Sequence, residues 1–134
     1  MERRALQIAI LLAGVVPVFG GGAGALLGEA AFGRWAGAAQ DSHVRYLSGL
    51  LLGIGLVFWA CVPTIERRAE TVRLLTLIVV IGGLARLGGV FLAGDPGSMR
   101  WTLGMELAVT PLICLWQARV ARTGLAPGLR PNKA

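Results

Sequence analysis

The chain has 134 residues, 55% of them hydrophobic and only 15% charged, with a mean hydropathy of +0.69, which excludes an ordinary water-soluble domain of this length. A formal net charge of +6 and a pI near 11.0 invite a nucleic-acid reading. The basic residues instead stand in small groups at the ends of apolar segments and form no stripe, so nucleic acid is not an expected partner.

Four apolar segments, each near the roughly 20 residues that a helix needs to cross about 30 Å of hydrocarbon, nearly fill the chain. Backbone inside a bilayer must pair its own polar groups, so the expected fold is all-α: a bundle of four transmembrane helices, up-down and antiparallel, with short loops. The predicted helices cover about 5–28, 44–65, 72–94 and 101–120, in a single integral-membrane domain spanning 1–134, with 121–134 as a tail.

The first segment opens with Arg3 and Arg4, continues through an apolar middle and ends in small residues around Ala23-Gly24-Ala25, the outline of a cleavable signal peptide. Its uncharged run extends to Gly28, longer than the 7–15 residues or so of a signal core, which favours a retained helix. Pro17 and the glycines at 20–22 weaken a helix, but both residue types are commoner in membrane helices than in soluble ones.

The second segment is introduced by DSHVRYLSG at 41–49. Asp41 suits the N-cap or the position before it, where an acid complements the positive end of the helix dipole, and Asp41 with Arg45 is an i,i+4 pair sharing a face with Ser48. His43 stands alone, without a partner at metal-ligand spacing, so no metal site is expected. Gly49 and Gly53 form a GxxxG, and Gly82 and Gly89 give the third segment a small face. Such faces serve close packing within a bundle or pairing between copies, so a homo-oligomer through these four glycines is an expected alternative.

PTIERRAETVR at 63–73 reads as a solvated connection beside anionic headgroups, and DPGSMR at 95–100 as a tight turn. Nine basic residues, Arg3, Arg4, Arg67, Arg68, Arg73, Arg119, Arg122, Arg130 and Lys133, fall on one side of the predicted crossings. Only Arg34, Arg45 and Arg100 fall on the other, so both termini are expected in the cytoplasm. Trp59, Trp116, Tyr46 and Trp101 lie near predicted helix ends, as aromatic rings at a headgroup boundary should. Cys61 and Cys114, towards the cytoplasmic ends, read as small packing residues.

Two charges fall inside crossings. Arg86 lies about 12 Å below the outer end of the third segment, and Glu106 about 7.5 Å below the same surface in the fourth. A charge at that depth costs a few kcal/mol and must face the bundle interior or a wet cavity. The short turn makes these helices antiparallel neighbours, which predicts an Arg86–Glu106 ion pair. Thr110 recurs on the Glu106 face, and Asp41, His43, Arg45 and Ser48 enter from the same side to complete an expected polar cluster.

The motifs D-x-H-x-R-Y-L-S-G at 41–49, G-G-L-A-R-L at 82–87, G-x-P at 94–96 and E-x-x-x-x-P at 106–111 resemble a family of small bacterial integral-membrane proteins known as domain of unknown function 4345, over roughly 5–122. The resemblance implies a four-helix membrane bundle with no assigned activity, substrate or cofactor.

Three readings of function stand. The first is a non-catalytic protein of the bacterial inner membrane that holds a lipid-like or amphipathic ligand, or a membrane partner, at the outer polar cluster. A bland variant of it gives Arg86 and Glu106 only the task of fixing helix register. The second is a small proton- or ion-coupled transporter, disfavoured by a permanent cation beside the acid. The third, an enzyme, lacks any metal cluster, nucleophile motif or phosphate loop, and no cofactor is expected.

Overall fold

The computed structural model describes residues 1–94, 97 and 99–125. Asp95, Pro96 and Ser98 of the expected turn, and the tail from 126 to 134, lie outside the described residues. Those described form four helical stretches and no strand. Helix α1 comprises Glu2–Val15, a π-helical turn Val16–Gly20, Gly21–Leu27 and a 3-10 turn Gly28–Phe32. Helix α2 is Ala38–Cys61, continued by a 3-10 segment Val62–Arg67, and helix α3 is Ala69–Ala93. Helix α4 joins Met99–Gly104, a π-helical turn Met105–Val109 and Thr110–Leu125. The stretches Glu2–Phe32, Ala38–Arg67 and Ala69–Ala93 are long and apolar enough to cross a membrane. α4 is interrupted by more polar residues, Thr102, Glu106, Thr110 and Gln117.

All four helical stretches begin earlier in the chain than expected. α2 starts at Ala38, not 44, because Gly37, at φ 112°, accepts Asp41 N–H through its carbonyl and opens the helix there. The hydrophobic pattern marks only the apolar stretch of a helix, whereas Ala38, Ala39 and Gln40 are helix formers without being apolar enough to be counted. Asp41 is consequently in the first turn of α2 and not at its N-cap.

The chain divides into two compact units, Gln7–Pro63 and Met1–Leu6 with Thr64–Ala134. The first is an antiparallel hairpin of α1 on α2, joined along a seam of small residues. Gly14 lies under the Trp59 ring, Val18 meets Gly55, Gly21 meets the Leu52 backbone, Gly24 meets Ser48 and Gly28 meets Asp41. A Cβ on Gly21 would stand 2.6 Å from the Leu52 nitrogen, so the two backbones touch, as small residues at a helix seam allow. Trp59, expected at a headgroup boundary, is half-buried; its Nε1 donates to the Leu11 carbonyl at 3.1 Å and its ring meets Phe19 edge-on. Gln7 Nε2 donates to the Val62 carbonyl at 2.8 Å, satisfying a backbone acceptor at the end of α2.

Gly49, Gly53, Gly82 and Gly89 were expected to pack. Within its own unit each has open space where a Cβ would stand, so the helix seams run through other glycines. The reason is register: Gly14, Gly21, Gly24 and Gly28 repeat at helical spacing on the α1 face turned to α2, and Gly83 rather than Gly82 is the residue of α3 turned to α4.

The second unit pairs α3 with α4, which approach at Gly83 against Leu107. Leu6, Ile65, Val72 and Gln117 are fully buried there, and Gln117 Nε2 donates to the Ile65 carbonyl at 2.8 Å. Arg3–Glu66 and Arg119–Glu2, at 3.1 and 3.3 Å, add exposed ion pairs of small energetic weight. Away from these contacts the helices carry large apolar side chains outwards, among them Phe91 and Leu92, a surface suited to acyl chains.

Candidate functional site

Two polar sites are built on the helices, one in each unit. In the α3–α4 unit, Arg86 and Glu106 form a two-pronged ion pair, with Nε to Oε2 and Nη2 to Oε1 both at 3.2 Å. This parallel geometry matches the guanidinium fork to the carboxylate. Gly83, one turn before Arg86, makes it reachable: a Cβ there would lie 3.0 Å from Glu106 Cβ and 2.8 Å from Leu107 Cδ2. The side chain of Arg86 remains 39% exposed and that of Glu106 17%.

Glu106 stands in the π-helical turn of α4, and the local sequence accounts for that turn. Pro111 has no N–H for the Leu107 carbonyl, and its ring crowds the preceding turn. The helix widens, so that Thr110 N–H reaches the Met105 carbonyl, five residues back, and Thr110 Oγ1 donates to the same oxygen at 2.8 Å. Thr110, expected in the polar cluster, therefore spends its hydroxyl within α4. Pro17 lies near the start of the π-helical turn of α1, Val16–Gly20.

Asp41, Arg45, Ser48 and His43 belong to the other unit, where Asp41 and Arg45 are joined directly. Asp41 Oδ1 accepts the Glu29 backbone N–H at 2.8 Å and Oδ2 takes Arg45 Nε at 2.7 Å. Arg45 Nη1 donates to the carbonyls of Leu26, at 2.6 Å, and Ala25, at 3.4 Å. These are carbonyls in the last turn of the α-helical part of α1, which ends at Gly28, so Arg45 of α2 caps α1. Ser48 packs on Gly24, and His43 is exposed on α2.

The same end of the hairpin holds a cavity of about 230 Å³ lined by Glu29, Phe32, Arg34, Ala36, Gln40 and Val44. Glu29 is buried, and its Oε2 accepts the Ala36 N–H. None of these six was singled out beforehand. The available signal was Gly28-Glu29 after an uncharged run: a glycine that ends a helix, followed by the first of the two acids, Glu29 and Asp41, between the first and second predicted helices. Among the described residues no group of three His, Cys, Asp or Glu side chains is placed to hold a metal ion.

No curated protein and no solved structure matches the chain. A family model described as Domain of unknown function (DUF4345) matches residues 5–117, which carry the whole α1–α2 hairpin and both members of the Arg86–Glu106 pair, and the chain belongs to that family.

Proposed function

We propose that this is a multi-pass protein of the bacterial inner membrane, with both termini in the cytoplasm, that binds without catalysis the polar head of a lipid-like or amphipathic ligand at Arg86 and Glu106. The observation that carries the reading is the partial exposure of an ion pair set between apolar helices. An arginine side chain 39% exposed on a stretch able to cross a membrane is costly among acyl chains and favours contact with polar matter. A ligand headgroup supplies that matter and leaves its tails on the apolar flanks. Glu106 also sits on a π-turn, a distortion frequent at functional sites, which favours proton- or ion-coupled transport as a second reading. The two-pronged arginine weighs against it, since both carboxylate oxygens are already engaged by one side chain.

Native mass spectrometry of the protein purified in mild detergent tests the proposal. The wild type is expected to retain a small-molecule or lipid adduct that the folded Arg86→Met, Glu106→Gln double variant loses. Equal retention by both, or an adduct on neither, would overturn it.

A further inference from the structure

The cavity at the end of the α1–α2 hairpin has a charge arrangement that calls for a particular ligand. Glu29 and Arg34 both line it, yet among the described residues neither belongs to an ion pair. Glu29 is 5% exposed, and only a backbone N–H meets its carboxylate among the described hydrogen bonds. A buried carboxylate without a cation is costly, and Arg34, which lines the same small space, brings a second charge with no ion-pair partner among the described residues. One molecule that carries a cation and an anion a few ångströms apart satisfies both walls at once.

We propose that this cavity binds the phosphoethanolamine headgroup of a zwitterionic phospholipid, its ammonium on Glu29 and its phosphate on Arg34. Phe32 and Gln40 also line the space, and an aromatic ring and an amide are suitable partners for a cation and a phosphate. At about 230 Å³ the space falls below the roughly 300–1,000 Å³ of sites that engulf whole drug-sized molecules, and suits a headgroup whose tails stay outside. Those tails have somewhere to go, because Leu26, Leu27, Phe32 and Trp35 are exposed on the adjoining turns. A primary ammonium donates hydrogen bonds to a carboxylate and a quaternary one does not, which selects ethanolamine over choline. All six lining residues belong to the α1–α2 unit.

The test is lipid retention by native mass spectrometry, after equilibration with equal amounts of phosphatidylethanolamine, phosphatidylcholine and phosphatidylglycerol of the same acyl composition. The wild type is expected to retain phosphatidylethanolamine at least tenfold over the other two. Glu29→Gln and Arg34→Gln should each remove the preference, and Arg86→Met should keep it. Arg34 is exposed, so its variant reports even where loss of the buried Glu29 charge disturbs folding. Retention of all three lipids alike, or an unchanged preference in Arg34→Gln, would overturn the proposal. Displacement of the lipid by millimolar free phosphoethanolamine would retain the zwitterion chemistry and overturn the membrane as its source.

Discussion

Gly28 shows how much one residue carries. Its backbone, at φ 64° and ψ −140°, lies where side-chain-bearing residues are strained, and a Cβ there would run into the Asp41 carboxylate. That carboxylate in turn holds the Glu29 N–H and Arg45, which caps α1. Gly28→Ala should cost about 1–3 kcal/mol from backbone strain alone, and more as the Asp41 network is displaced. Thermal unfolding in detergent checks this, and an unchanged midpoint would show that the cap contributes nothing. At this scale the charged pairs were legible in the sequence. Asp41 with Arg45 follows from i,i+4 spacing, and Arg86 with Glu106 from two lone charges in neighbouring apolar segments. The wider roles of Asp41 and Arg45 were not legible, because their partners are backbone groups of Leu26 and Glu29, which leave no mark in side-chain identity.

Among the elements, the glycines divide into those that are seams and those that are not. Gly21→Leu drives a side chain into the Leu52 and Ser48 backbone, which cannot yield as a flexible side chain would, and is expected to open the α1–α2 hairpin. Gly49→Ala and Gly53→Ala meet open space within the hairpin and should leave its thermal unfolding unchanged or slightly raised, since alanine is the better helix former. A loss for Gly49→Ala as large as for Gly21→Leu would mean that the α2 glycines, too, carry a contact. GxxxG alone could not separate these cases. The motif records which residues permit close approach, whereas the face turned to a neighbour depends on the pairing of two helices. The π-turns are a similar case: Pro17 and Pro111 announce a disturbance, but a kink, a break and a widened turn all relieve the same missing N–H.

For the molecule as a whole, composition and apolar segment length account for the helical class and for the three stretches able to cross a membrane. α4 is the marginal one, and the residues that make it so, Thr102, Glu106, Thr110 and Gln117, include the acid of the candidate site. The Arg86–Glu106 pair joins α3 to α4 and ties the site to the register of their unit. Removing one partner strands the other charge between apolar helices, so Arg86→Met and Glu106→Gln should each cost about 1–3 kcal/mol, while the double change strands neither.

A double-mutant cycle on these two positions, followed by unfolding in detergent, reads that coupling directly. The double variant is expected to lose less than the sum of the two singles, by about 1 kcal/mol or more. Strictly additive losses would contradict a direct pairing of the two side chains and remove the basis for placing a ligand's polar head there.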